Sequence, residues 1–427
     1  MAELQPVRGT RDLLPEESRR HRQVIEAARR VAALYGYDEI ATPIFEFTEV
    51  FQRTLGDTSD IVTKEMYTFT DRGGEQITLR PEATAGIMRA LISGGLSRNL
   101  PLKLFCAGPM FRYERPQKGR YRQFHQIDVE LLGVAEPLGD VEVIALGAHI
   151  LEALGVLGQT TLELNTLGDA ASRAAYRRAL VDYLGNHHDQ LSEDSRGRLE
   201  RNPLRILDSK HEADQGIIAG APIFFDYLNE ASRDFFKRVR DSLDALAIRY
   251  RLNPRIVRGL DYYCHTVFEF TTTALGSQGA VIAGGRYDGL AETMGGPATP
   301  ATGWAGGVER LAMLARPPEA AQRPVAVIPV GAEAEAAALR LARDLRHAGI
   351  AVELGFHGNL SRRMKHANKI GARAAIILGQ DELTRGTATV RDLDSGAQEE
   401  MPLEAAALKL WLDQCHRPTL ATQVEER

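Results

Sequence analysis

The chain has very little cysteine: three residues in 427, Cys106, Cys264 and Cys415, far apart and odd in number. No disulfide framework follows from them, and no C-x-x-C pair suggests zinc or a redox motif. Positive charge is not in surplus either, with 52 Lys and Arg against 57 Asp and Glu for a net charge of −5. No global basic field draws in nucleic acid, so any polyanion site must be local. No apolar run approaches the roughly 18 residues of a membrane span, and MAELQPVRGTRDLLPEE lacks the apolar core of a secretion signal. The expectation is a cytoplasmic protein, neither exported nor inserted. Glycines occur in clusters, yet none forms a phosphate loop or a dinucleotide fingerprint after a strand.

What is present is a folded, multidomain chain: 44% of its residues are hydrophobic, and its length exceeds that at which one core keeps growing. EESRRHRQVIEAARRVAALYGY, after Pro15, has helical apolar spacing with acids early and Gly36 near its end. From residue 37 to 114, short aromatic and β-branched runs alternate with turn residues, which predicts a largely antiparallel sheet. Residues 168–250 are charged and helix-periodic, a helical insertion, after which strand chemistry resumes in TVFEFTTTALGSQGAVIAGGRYDGL. ARPPEAAQRP marks a linker and a boundary near residue 320. Beyond it PVAVIPV, GIAVEL and AAIILG alternate with helical segments, the pattern of a mostly parallel α/β sheet over 321–415, followed by a frayed tail at 416–427.

The densest charge is in FRYERPQKGRYRQFHQIDVE, residues 111–130. Five Arg or Lys lie between Arg112 and Arg122, with Glu114 as the only acid. Pro116 and Gly119 predict a loop between two antiparallel strands, with Arg112 and Glu114 on one face of the first and Arg115, Lys118 and Arg120 at the loop. The segment is either a solvated hairpin or a polyanion clamp, in which guanidinium groups fork onto phosphate and Phe124 offers a ring for a base.

LRPEATA sets Arg80, Glu82 and Thr84 at alternate positions, facing one way if extended; Glu82 also suits the dipole of a following helix. RGLDYYCHTVFEF brings Arg258, Asp261, Tyr262 and Tyr263 together without core periodicity. AGGRYDGL and GVERL add paired glycines, Tyr287 and Arg310. In SRRMKHANKIGAR, Arg362, Lys365, Lys369 and Arg373 share a face if the segment is helical, which is either a solvated face or one for RNA phosphate.

Taken in order, RGTRDLLP, TPIFEF, LRPEATA, FRYERPQKGRYRQFHQ, RGLDYY, AGGRYDG and GVERL resemble the bacterial histidyl-tRNA synthetases over nearly the whole chain. The resemblance implies an α+β fold: a class II catalytic domain over 1–320, its antiparallel sheet flanked by helices with the insertion at about 168–250, then an α/β anticodon-binding domain. It implies a homodimer built around the segment near Pro43. It implies that ATP, carried with Mg2+, activates L-histidine as an adenylate that then charges tRNA(His), with no permanently bound cofactor or metal.

Site roles follow by the same resemblance. Arg112 and Arg258 are the catalytic arginines at the α-phosphate, where preorganised charge stabilises the transition state. Glu114 and Phe124 take the adenine, and Arg120 and Arg310 the phosphates. Glu82, Thr84 and Gln126 meet the α-amino group of histidine, Glu130 and Tyr263 the imidazole nitrogens, and Tyr262 and Tyr287 wall the pocket alongside Arg258. Arg115, Gln117 and Lys118 face the tRNA acceptor end, and Arg362, Lys365 and Lys369 the tRNA body. Ala83, where the family often has Gly, and Cys264, where a polar residue is common, are small local departures. A non-catalytic regulatory paralogue on the same sheet, and a general RNA-binding or amino-acid-sensing protein, explain fewer of these motifs together.

Overall fold

The computed structural model describes residues 3–56, 61–256, 262–276, 279–318 and 322–415. The chain divides into two compact units, Met1–Pro318 and Glu319–Arg427.

The larger unit opens with α1 (Pro15–Leu34), whose buried side chains include His21, Val24, Ala28 and Val31. Pro15 fits the first helical position because its missing N–H has no intrahelical partner there. After β1 (Asp38–Glu39) come β2 (Phe45–Phe47), α2 (Thr48–Leu55), β3 (Tyr67–Thr70) and β4 (Gln76–Leu79). Strands β2, β4 and β3 form a separate antiparallel sheet. Then follow α3 (Thr84–Ser93), β5 (Leu102–Phe111), β6 (Gln123–Leu132), α4 (Pro137–Ala153) and β7 (Thr161–Thr166). Four helices succeed β7: α5 (Ala170–Gly185), α6 (Glu193–Arg201), α7 (Glu212–Gly220) and α8 (Glu230–Ala245). Their starts are capped in the usual way, Asp169, Ser192 and Asn229 accepting backbone N–H groups three residues on. The unit closes with β8 (Tyr250–Leu252), β9 (Cys264–Thr271), β10 (Ala280–Arg286), α9 (Leu290–Thr293), β11 (Ala301–Gly307) and α10 (Val308–Leu314).

Eight of these strands make one sheet in the order β1-β5-β6-β11-β10-β9-β7-β8, antiparallel except at the two edge pairings β1–β5 and β7–β8. Helix α4, buried along most of its length, shares one core with α1, α8, α10 and the sheet; the other face of the sheet carries the tyrosines and α3.

The strand pair in the 111–130 segment is real, but β5 ends at Phe111, opposite Gln123. Residues 112–122 form a loop closed by the Arg112 N–H to Arg122 carbonyl bond and a small Gln117–Arg120 bridge. Arg112 and Glu114 therefore leave the ladder instead of sharing a strand face. Two residue types that break pairing, Pro116 and Gly119, lie inside this stretch, and Gly119 takes a positive φ of 73° over Met313 and Arg310.

The smaller unit contains β12 (Val325–Pro329), α11 (Glu335–His347), β13 (Val352–Leu354), α12 (Leu360–Lys369), β14 (Ala374–Leu378), α13 (Gln380–Arg385), β15 (Thr387–Asp392), β16 (Gln398–Pro402) and α14 (Ala405–Cys415). Its sheet, β13-β12-β14-β15-β16, is parallel across the first three strands and antiparallel across the last. The mostly parallel expectation fails at β15 and β16 because the segments that lead into them, residues 379–386 and 393–397, are shorter than a parallel crossover needs.

Candidate active site

A cavity of about 300 Å³ opens on the sheet of the larger unit. Strand β6 and the loop that precedes it, the start of α3, the Tyr262–Tyr263 pair, β10, β11 and α10 all contribute to its wall. One part is cationic. Arg112 lies 5.3 Å from the centre of the Phe124 ring, its Nε donating to the Pro81 carbonyl at 2.9 Å. Arg120 Nε is 2.7 Å from Glu114 Oε2, and Arg112 is 3.9 Å from Glu114 Oε1. Arg310, at the start of α10, donates to the Ala280 carbonyl at 2.7 Å. Burial lowers the pKa of Arg310, and the neighbouring Arg120 and Arg112 push it the same way, against Glu114. Glu309 also lines this end, its carboxylate turned to the His125 N–H, and three guanidinium groups against two acids leave it suited to a polyanion.

The other part is built from acids and phenols. Glu82 is buried and turns back onto α3, accepting the N–H groups of Thr84 at 2.7 Å and Ala85 at 2.8 Å. Burial raises its pKa despite these bonds. Thr84 Oγ1 donates to Glu130 Oε1 at 2.5 Å, and the Tyr287 hydroxyl donates to Glu130 Oε2. Glu130, 1% exposed, is pushed up to about 8 by burial, with the two hydroxyls opposing. Gln126 lines the cavity, and its Oε1 has no hydrogen-bond partner among the described residues. Tyr262, Tyr263 and Tyr287 form an aromatic corner with ring centres 4.6 to 6.2 Å apart.

Glu82, Thr84, Arg112, Glu114, Arg120, Phe124, Gln126, Tyr262, Tyr263, Tyr287 and Arg310 thus line one space. Glu130 sits just behind it, held by Thr84 and Tyr287. Arg258 lies outside the described residues, as do its neighbours 257–261. Arg115, Gln117 and Lys118 are exposed on the loop of the cavity's rim. Arg80 does not join its alternate neighbours: it is buried and bonded to the Pro109 carbonyl and to Thr42. In the smaller unit Arg362, Lys365 and Lys369 are exposed on α12, whose start is capped by Asn359; Arg373 falls beyond the helix end and off that face.

The structure adds residues that sequence reasoning passed over. Gly303 faces Glu130 across the β6–β11 pairing, and a Cβ there would overlap the carboxylate, so its glycine makes room for the acid. Gly284, one of the paired glycines of AGGRYDGL, lies against the neighbouring strand, where a Cβ would meet Gly303 and Trp304. Arg286, next to Tyr287, forms a fully buried pair with Asp140 of α4. Asp128, between Gln126 and Glu130 on the same strand face, is 1% exposed with neither carboxyl oxygen bonded among the described residues. Burial, then Glu130 and Glu82, raise its pKa well above the ordinary carboxyl value. Alternation along β6 was the available signal, since it places residues 126, 128 and 130 on one face.

Residues 9–311 match the family model for histidyl-tRNA synthetase, and residues 324–410 that for an anticodon binding domain. The chain is 64% identical to the histidine–tRNA ligase of Rhodospirillum rubrum over 404 residues, 94% of this chain and 97% of that one. It is 58% identical to the histidine–tRNA ligase of Gluconacetobacter diazotrophicus over 405 residues, 95% of this chain and 98% of that one. Among solved structures, the apo histidyl-tRNA synthetase of S. aureus superposes with a TM-score of 0.79 at 35% identity, covering 95% of this chain and 98% of the other.

Proposed function

This chain belongs to the histidyl-tRNA synthetase family, and we propose that the cavity of its larger unit is where ATP and histidine react. It attaches L-histidine to tRNA using ATP, through the adenylate general to class II enzymes. The observation that carries the site assignment is the joining of a three-arginine end and an acid-and-tyrosine end in one cavity.

In this reading the histidine carboxylate attacks the α-phosphate, the bond to pyrophosphate breaks, and Arg112 with Arg258 stabilises the charge that develops at phosphorus. Glu114 and Phe124 hold the adenine, while Arg120 and Arg310 hold the phosphates. ATP arrives as its Mg2+ complex, written here as substrate. Glu82, Thr84 and Gln126 receive the α-ammonium group. Glu130, reached through the Tyr287 and Thr84 hydroxyls, and Tyr263 select the imidazole. A side chain lacking either nitrogen would leave a buried polar group unpaired, a discrimination of the kind hydrogen-bonding pockets make well.

Residues 1–320 form the catalytic domain, with its helical insertion at about 168–250, and 321–415 the anticodon-binding domain. Arg115, Gln117 and Lys118 meet the acceptor end, and Arg362, Lys365 and Lys369 the phosphates of tRNA(His). A homodimer through the three-stranded sheet is supported by Phe45, Phe47 and Phe69, which stand 47 to 56% exposed there. No helix among the described residues is long and apolar enough to cross a membrane, consistent with a cytoplasmic place.

The test is charging of purified tRNA with labelled histidine. Arg362→Ala combined with Lys365→Ala raises the apparent KM for tRNA while histidine-dependent pyrophosphate exchange stays as in the parent. Equal loss of both activities would remove those two residues from the tRNA face.

A further inference from the structure

At the wall of the cavity, which Glu309 lines, three side chains from three elements converge: His21 of α1, His125 of β6 and Glu309 of α10. His125 Nδ1 lies 3.0 Å from Glu309 Oε1, and the His125 N–H donates to both carboxylate oxygens at 3.0 Å. The His21 ring meets the His125 ring edge-on, with centres 5.4 Å apart and planes at 81°. One donor atom from each residue lies within 4.8 Å of the others. His21 is 6% and Glu309 5% exposed, and Nδ1 of His21 has no hydrogen-bond partner among the described residues. A buried ring nitrogen left unpaired costs of order 1–3 kcal/mol and requires a reason.

We propose that His21, His125 and Glu309 form a site for a divalent transition-metal ion, with zinc the best fit. Two imidazoles and one carboxylate are a zinc donor set, whereas the magnesium that accompanies a nucleotide takes oxygen ligands. Zinc bonds of about 2.0–2.2 Å put tetrahedral ligands roughly 3.3 Å apart. The His125–Glu309 separation is already close to that, so this nitrogen and oxygen can share an ion, with the ring proton of the neutral imidazole on Nε2. His21, whose donor atom lies within 4.8 Å of the other two, supplies the third ligand, and water completes the fourth position. Bound metal ties the first helix to the strand that carries Gln126 and to the helix that carries Arg310. The site does not depend on the roles given to the cavity residues.

The test uses untagged full-length protein, stripped with chelator, loaded with Zn2+ in buffer without histidine, and desalted. Metal content is read by mass spectrometry, and Co2+ substitution by visible absorption. His21→Phe keeps the ring and its packing but removes the nitrogens; His188→Ala removes an exposed imidazole elsewhere. Wild type and His188→Ala retain stoichiometric zinc and give the bands of four-coordinate Co2+, while His21→Phe binds at least about tenfold more weakly. Zn2+, and not Mg2+, raises the unfolding temperature of wild type and leaves that of His21→Phe unchanged. Retention of no zinc by wild type, or full retention by a folded His21→Phe, overturns the proposal.

Discussion

Arg286 and Asp140 meet with both side chains fully buried, Nη2 of the arginine lying 2.5 Å from Oδ2 of the acid. The guanidinium also donates to the Val134 and Glu136 carbonyls and to Asp288. It pins β10 to α4 one residue before Tyr287, so the position of Tyr287 and its bond to Glu130 depend on a pair outside the cavity.

Removing one member of that pair strands the other charge, which in buried pairs costs about 3–5 kcal/mol. Arg286→Met is expected to lose that much, and Arg286→Met with Asp140→Leu to recover much of it. With Trp411→Phe as background, Trp304, bonded to the Val143 carbonyl at 2.8 Å, reports urea unfolding of the larger unit.

Glu130 titrates at about 8 when folded, far above the roughly 4.3 of an unfolded glutamate. Between those values the folded state holds the extra proton, so stability falls as pH rises through the window. The urea midpoint of the ligand-free protein should decline from pH 5 to pH 9. Glu130→Gln should make the decline shallower without abolishing it, because Glu82 and Asp128 are raised as well. An unchanged slope in that variant would mean that Glu130 is ionised in the folded state.

Asp214 is the opposite case. Burial opposes its ionisation, but the Ser192 N–H and the hydroxyls of Ser195, Ser209 and Ser192 hold its pKa down to about 2. Its contribution is complete above about pH 4 and is lost as pH falls towards 2. Asp214→Asn should loosen the segment from Ser192 to Asp214, seen as faster amide hydrogen exchange there at neutral pH and a weaker acid dependence of that exchange equilibrium.

Gly303→Ala places a methyl group against the Glu130 carboxylate and the Val129 carbonyl. Overpacking of this kind costs about 1–3 kcal/mol. The expected outcome is a higher apparent KM for histidine with less change in that for ATP, measured by pyrophosphate exchange.

Much of this site is legible in the sequence itself. The strand pair around residues 111–130 showed in its alternation and turn residues, and the basic face of α12 in its spacing up to Lys369. Side-chain direction at element ends was not legible. Arg80 was expected to face the way of Glu82, yet the chain turns at Pro81, and buried carbonyls claim the guanidinium. Arg112 was placed on a strand that ends one residue earlier. Long-range pairings left no local mark either: Gly303 is glycine because of Glu130, 173 positions away, and His21, His125 and Glu309 share no spacing. Such contacts arise from sheet order, which periodicity does not encode.

The central claim is that a three-arginine end and an acid-and-tyrosine end of one cavity join ATP to histidine. Exchange of labelled pyrophosphate into ATP, run with each amino acid in turn and without tRNA, tests it most directly. Wild type should exchange with histidine and with no other amino acid, and Arg112→Ala should lose at least about a hundredfold in that rate, the scale of removing one preorganised transition-state contact. Exchange with no amino acid, or wild-type exchange by Arg112→Ala, would contradict the account.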